Sequence, residues 1–255
     1  MLVTKAKELF SLEGKVACVT GASSGLGSHV ADLLLTNNVK VVGVARRADR
    51  LENWGTRAGE NASFVVADLT DRKSIELLST KIKEKFGPPD ILINAAGINT
   101  REHADLISFK NWDKTIELNL TAPFFLARTF VANMKKKKWG RIVNFASLQS
   151  RRAFPSGLSY GASKGGIEQL TRAMAEAWSP FGINVNAIAP GFFPTELTVP
   201  VFNDKERSIR NAKQTCIGRN GELNDLNGPL LFLCSKSSDY VTGQLIFVDG
   251  GFTAK

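Results

Sequence analysis

The sequence is poor in the residues that cross-link small proteins or bind metals: its 255 residues include three cysteines and two histidines. The cysteines, Cys18, Cys216 and Cys234, are odd in number and lack metal-ligand spacing, which argues against a disulfide framework and for a reducing compartment. His29 and His103 are isolated, with no third ligand pattern, so metal catalysis is not expected. Nowhere do about eighteen uncharged apolar residues follow one another, and the segment from Met1 to Glu8 lacks the apolar core of a secretory leader. The expected location is the cytosol. Pro/Ser-rich linkers, internal repeats and low-complexity tracts are also missing, so one domain spanning residues 1–255 is the simplest organisation.

Charge is the first positive feature. Lysine and arginine number 33 against 24 acidic residues, a net charge of +9, and such a surface attracts nucleic acid, anionic membranes or acidic metabolites. The densest basic run, Lys135 to Lys138, stands between a helical pattern and a strand pattern. It reads as a solvated helix C-terminus, where cations favour the helix dipole. Neither nucleic acid nor membrane is expected as a partner; a small molecule is.

Short apolar runs at residues 16–19, 39–45, 63–67, 90–94, 141–146, 184–188 and 245–248 alternate with helical stretches. This alternation predicts an α/β fold, a Rossmann-like, doubly wound parallel sheet of about seven strands with helices on both faces. In such sheets the ligand lies beyond the strand C-termini, at the point where strand order reverses. Gly21, Asp68, Asn94, Ser147 and Pro190 all fall at or just after predicted strand ends.

Two motifs carry chemistry. Thr20-Gly21-Ala22-Ser23-Ser24-Gly25-Leu26-Gly27 follows the first apolar run and precedes the helical pattern Val30, Leu33, Leu34. Its glycines allow a tight turn and close backbone approach, and the helix start offers unpaired N–H groups to a pyrophosphate. Tyr160 and Lys164 stand four residues apart in Tyr160-Gly161-Ala162-Ser163-Lys164, one turn apart on a helix face, with Ser147 thirteen residues upstream. A free phenol titrates near ~10, and a partly desolvated ammonium beside it lowers that value toward the range useful for acid–base catalysis. A Tyr–Lys pair by itself is equally a solvent-exposed coincidence; the glycine turn gives it weight.

Together these motifs resemble the short-chain dehydrogenase/reductase family. Thr20 to Gly27 is similar to its T-G-x-x-x-G-x-G, Asn94-Ala95-Ala96-Gly97 to its N-A-G region, and Tyr160 with Lys164 to its Y-x-x-x-K. Asn119, Ser147, Pro190-Gly191 and Asp249-Gly250-Gly251 match further marks, and the resemblance spans residues 10–255. It implies a catalytic set of Asn119, Ser147, Tyr160 and Lys164: Tyr160 transfers the proton, Ser147 binds the reacting oxygen, Lys164 also holds nicotinamide ribose, and Asn119 holds a water. Cofactor contacts are implied for Gly21, Ser23, Ser24, Gly25, Leu26 and Gly27. Further contacts are implied for Asp68 and Leu69 at the adenine, for Asn94, Ala95 and Gly97, and for Pro190, Gly191, Phe193 and Thr195. Asp68 reads equally well as a cap for the segment after Thr70.

The end of the second strand lacks the acidic residue that normally binds the adenosine ribose of NAD. Arg46 and Arg47 stand there instead and suit a 2′-phosphate, so NADP(H) is expected over NAD(H), Arg46 being the first candidate. The resemblance is strongest to gluconate 5-dehydrogenases and related deoxygluconate dehydrogenases, which implies a polyhydroxy carboxylate and makes Arg101, Arg151 and Arg152 candidate carboxylate partners. A 3-oxoacyl-thioester reductase, a broad ketone reductase and a non-catalytic cofactor-binding regulator are the alternatives. Residues 192–215 read as a mobile substrate lid. The resemblance also implies a homotetramer built on residues 109–134 and 157–178, with Phe124, Phe125, Leu126, Phe130, Ile167, Leu170, Met174 and Trp178 as its apolar positions. The closing segment Leu245 to Phe252 would then lie near a neighbouring active site.

Overall fold

A computed structural model describes residues 5–255. Seven strands form one parallel sheet: β1 (Val16–Thr20), β2 (Lys40–Ala45), β3 (Ala62–Val66), β4 (Ile91–Asn94), β5 (Gly140–Phe145), β6 (Ile183–Pro190) and β7 (Leu245–Val248), in the order β3-β2-β1-β4-β5-β6-β7. Each lies within one residue of its predicted span, except that β6 runs two residues further to reach Pro190. The order reverses between β1 and β4, whose register pairs Thr20 with Asn94.

The helices are α1 (Ala6–Leu9), α2 (Gly25–Thr36), α3 (Ala48–Ala58), α4 (Ser74–Phe86), α5 (Phe109–Ile116), α6 (Ala122–Lys137), α7 (Leu158–Trp178), α8 (Val199–Phe202), α9 (Lys205–Gln214) and α10 (Asn227–Cys234). Alternate strand residues face opposite ways, so β1 gives Ala17 and Val19 to one layer and Cys18 to the other. Val30 and Leu34 of α2, Leu51 and Trp54 of α3, and Leu230 and Leu233 of α10 cover the first face. Leu78 and Ile82 of α4, Leu126 and Phe130 of α6, and Met174 of α7 cover the second. Leu126, Phe130, Ile167 and Met174 are therefore core residues, while Phe124 and Trp178 stack at 6.3 Å on the rim.

Charged groups at the strand N-termini are held by specific partners. Asp90, buried before β4, accepts from Val16 N at 3.1 Å and from Lys137 Nζ at 2.6 Å. The basic run at 135–138 is thus largely exposed at the end of α6, with Lys137 in addition tied to the sheet. Arg141 lies wholly inside β5; its guanidinium pairs with Asp239 and donates to the carbonyls of Ser235 and Gly140. A buried charge persists only with such compensation.

Residues 109–134 are helical throughout, with α5 and α6 joined end to end by a π-helical turn, Glu117–Thr121. Asn119 in that turn accepts from Ile98 N at 2.9 Å and donates to Ile98 O at 2.9 Å, drawing the helix out of register toward the loop after β4. The 192–215 segment has regular structure: a 3₁₀ turn (Glu196–Thr198), α8, and α9, whose N-cap Asp204 accepts from Arg207 N at 2.9 Å.

Asn94 is not a pocket residue. Its Nδ2 donates to Asn144 Oδ1 at 2.8 Å, and Asn144 Nδ2 donates to Thr171 Oγ1 at 2.9 Å, a buried chain joining β4, β5 and α7. Because the side chain at this register points into a helix-covered layer, it fastens the sheet. Asn94→Ala should lower the unfolding free energy by about 1–3 kcal/mol in urea titrations, since it leaves Asn144 Oδ1 unpaired. Dinucleotide affinity of the folded variant should stay within about twofold, a change too small to signal a lost direct contact.

Candidate active site

The crevice starts from one hydroxyl. Thr20 Oγ1, at the end of β1, accepts from Ala95 N at 3.0 Å and Ala96 N at 3.1 Å, drawing the loop after β4 against the glycine turn. At Gly21 (φ +74°) an added Cβ would lie 3.0 Å from Ala96 Cα, and at Gly27 it would lie 2.3 Å from Gly21 O. Neither position accepts a side chain. The turn delivers the N-terminus of α2 to a cavity of about 520 Å³ along the strand C-termini. Ser24 at the N-cap makes no capping bond, so the first N–H groups of a twelve-residue helix face the cavity without a side-chain acceptor. A pyrophosphate suits that position, and the residues present fit a dinucleotide.

Most of the predicted contacts line this cavity: Gly21, Ser23, Ser24, Gly25, Leu26, Gly27, Arg46, Arg47, Leu69, Ala95, Gly97, Pro190, Gly191, Phe193 and Thr195, with Ser147, Tyr160, Lys164 and Arg101 at the other end. Asp68 stays outside the lining. It accepts from Thr70 N at 3.0 Å and Thr70 Oγ1 at 2.8 Å in a local turn that caps no helix, since α4 begins only at Ser74, and it sits 3.7 Å from Arg46 Nη1. Arg47 is the more engaged of the two arginines, donating to Ser23 Oγ at 3.2 Å and Ser24 Oγ at 2.6 Å.

Ser147 follows β5, and Tyr160 and Lys164 rise from the first turns of α7. Lys164 Nζ donates to Phe145 O at 2.6 Å and stands 5.6 Å from the Tyr160 ring centre. Asn119 lies behind them, donating to Ser163 Oγ at 3.0 Å, while Ser163 donates to Tyr160 O at 2.7 Å. The expected electrostatics are corrected here. Burial pushes the Tyr160 phenol above its ordinary value, opposed by the hydrogen bond with Ser147 and the charge of Arg101. Burial also lowers Lys164 from 10.5 to about 8. Both groups are desolvated, and that cost outweighs the attraction anticipated between ammonium and phenolate.

Arg151 and Arg152 do not reach the cavity. Arg151 donates to Glu168 at 2.7 Å in a cluster that also holds Arg172, and Arg152 lies over the Phe252 ring at 5.7 Å. Phe252 itself is buried and meets Phe192 at 5.6 Å, so the closing segment supports this chain's own pocket wall. Arg101 does reach it. Held at φ +55°, it donates to Leu197 O at 2.8 Å. Its pKa is lowered by burial and by Arg207, and raised by Tyr160. Arg207 of α9, which sequence pattern did not single out, lines the same cavity. Glu196 also lines it. Burial raises its pKa, but hydrogen bonds with Arg50, Arg47 and Ser24 outweigh this and hold the carboxyl below its usual value.

A parallel sheet with a dinucleotide crevice at its switch point, and a Ser–Tyr–Lys group beside it, defines a dinucleotide-dependent oxidoreductase. The chain belongs to the short chain dehydrogenase family, whose family model matches residues 15–206. It is 39% identical over 249 residues to gluconate 5-dehydrogenase of Gluconobacter oxydans, covering 96% of this chain and 97% of that one. A 3-oxoacyl acyl-carrier-protein reductase of Vibrio cholerae is 35% identical over 241 residues, covering 94% and 98%. Among solved structures, gluconate 5-dehydrogenase from Burkholderia cenocepacia, in complex with NADP and tartrate, superposes with a TM-score of 0.94 at 32% identity, covering 98% of this chain and 100% of that one.

The Lys164 environment predicts a pH dependence. Between about 8 and 10.5 the unfolded chain binds a proton that the folded chain does not, so folding stability rises with pH across that window. Tyr160 acts in the opposite sense above its ordinary value of 10.0, where the unfolded phenol loses a proton that the folded one keeps. Relative to Lys164→Met, the wild type should gain on the order of 1–3 kcal/mol in urea unfolding between pH 8 and pH 10. A pH-independent difference would contradict the buried ammonium.

Proposed function

We propose that this chain is an NADP(H)-dependent oxidoreductase that interconverts a secondary alcohol and a ketone on a sugar acid or a similar polyhydroxy carboxylate. Residues 1–255 act as one domain, with 192–215 as the substrate lid. The observation that carries the substrate class is the pair Arg101 and Arg207. Both line the cavity near Tyr160, and among the described residues neither has a carboxylate within salt-bridge distance. Two like charges converging without a counter-ion suit an anionic ligand, because an acid offsets both their mutual repulsion and the desolvation of Arg101. The similar gluconate 5-dehydrogenases, one crystallised with NADP and the dicarboxylate tartrate, support this reading.

The nicotinamide, when bound, supplies or accepts the hydride at the substrate carbon. In reduction, Tyr160 donates its hydroxyl proton to the carbonyl oxygen, and in oxidation it takes the proton back. Ser147 Oγ donates a hydrogen bond to that same oxygen and stabilises the charge that develops there. Arg101 lowers the cost of the Tyr160 anion, and Lys164 supports the carbonyl end of β5 while presenting its ammonium toward the ribose. Asn119 and Ser163 hold the first turn of α7 in place. Arg46 and Arg47 at the end of β2 favour NADP(H) over NAD(H).

The shared Ser147, Tyr160 and Lys164, together with the 35% identical Vibrio cholerae relative, make a 3-oxoacyl-thioester reductase the second reading. We place the protein in the cytoplasm, as a homotetramer. In support, Phe109 at the start of α5 is 90% exposed and Leu158 at the start of α7 is 50% exposed, on the two helical segments expected to meet a second copy.

Steady-state kinetics with NADPH and paired keto-acids and neutral ketones separates these readings. Arg101→Ala and Arg207→Ala should each raise KM for the acid by about tenfold while changing the neutral ketone by less than about twofold. Tyr160→Phe should lower kcat for both by at least ~10². Equal losses on acid and ketone in the arginine variants would show that they pack the loop, and efficient turnover of acyl thioesters alone would select the second reading.

A further inference from the structure

The cofactor end of the cavity holds an acid that the sequence motifs do not mark. Glu196 opens the 3₁₀ turn of the lid, directly after Thr195, and its carboxylate crosses to the end of β2. There it accepts from Arg47 Nη1 at 2.9 Å and pairs with Arg50. Arg47 simultaneously donates to the hydroxyls of Ser23 and Ser24 in the glycine turn. Two guanidinium groups and the Ser24 hydroxyl thus meet one carboxylate, a donor set whose chemistry equally suits a phosphate monoester. The remaining acid nearby, Asp68, is turned toward Arg46 and Thr70. Glu196 is anchored on its own side: Thr195 N donates to Thr198 Oγ1 at 2.9 Å, and the carbonyl of the next residue, Leu197, receives Arg101. The ion pair therefore ties the lid turn to the end of β2, and its release removes that tie.

We infer that Glu196 is a cofactor-selectivity residue, a carboxylate that holds Arg47 and Arg50 in the place of the 2′-phosphate and is displaced from them only by a cofactor that carries that phosphate. The inference rests on the NADP(H) reading above and adds two residues to it, Glu196 as competitor and Arg50 as a second phosphate donor. NADP(H) binding then requires the lid turn to release its ion pair, whereas NAD(H) leaves the pair in place. The acid tempers the preference that Arg46 and Arg47 create, and it makes the lid position depend on which cofactor is bound.

The test measures binding of NADPH and NADH by nicotinamide fluorescence, with limited trypsin cleavage at Lys205, Arg207 and Arg210 of α9 as a second readout. Glu196→Gln keeps the size and removes the charge. It should tighten NADPH by about threefold to tenfold, the range for loss of a partly exposed ionic competitor, and change NADH by less than about twofold. In the wild type, NADPH and NADH should give different cleavage rates in α9, and in Glu196→Gln that difference should vanish. Equal tightening of both cofactors, or weaker NADPH binding, would overturn the assignment. Arg47→Ala separates the two claims: selective loss of NADPH affinity with no effect of Glu196→Gln keeps the NADP(H) reading and removes the competitor, while equal loss of both cofactors removes both.

Discussion

The crevice depends on the closure between β1 and β4. A parallel sheet that reverses direction leaves a gap between the loops leaving its two central strands, and here the Thr20 hydroxyl sets the width of that gap by taking two consecutive backbone N–H groups of the opposing loop. Gly21 follows from it, because nothing larger fits between the turn and the loop, and Gly27 because α2 starts against the turn's own carbonyls. The orientation of α2, the exposure of its first N–H groups and the line of the cavity are consequences of the same contact. On the far side, Asn119 repeats the device by binding both backbone groups of Ile98 at the cost of a π turn.

Within that frame the reactive groups are placed by burial rather than by mutual attraction. Tyr160 and Lys164 share a helix face, yet the ammonium donates to the Phe145 carbonyl and is drawn toward neutrality. The groups that assist the phenol are the Ser147 hydroxyl and the Arg101 guanidinium. Arg101 therefore has two tasks in the proposed chemistry: it lowers the cost of the tyrosine anion and, with Arg207, it attracts the acid. Both tasks are electrostatic, and a low-dielectric pocket strengthens them together.

The sheet, the helices and the glycine turn were legible in the sequence because they are written locally, in period-two and period-3.6 apolar patterns and in glycines at fixed offsets. The Tyr160–Lys164 spacing was legible for the same reason. What escaped was long-range. Glu196 meets Arg47 and Arg50 across about 150 residues of chain, and Arg207 reaches Arg101 only because α9 folds over the cavity; no spacing encodes either. Motif likeness also names positions without aiming side chains. Asn94 sits at the predicted strand end but turns into the sheet, and Arg151 is claimed by Glu168, seventeen residues on. Asp68 had two readings in the sequence, adenine contact and helix cap, and its side chain instead closes a local turn on Thr70 beside Arg46.

The central claim is that an anion-seeking pair of arginines selects the substrate of a Tyr-driven carbonyl reduction. The most direct measurement is kcat/KM for a polyhydroxy keto-acid against its methyl ester, with NADPH, as ionic strength is raised from about 0.05 M to about 0.5 M. The account predicts that the acid is preferred at low salt and that the preference falls as salt rises, while the ester stays level. An ester turned over as well as the acid, or a preference that salt does not touch, would contradict it.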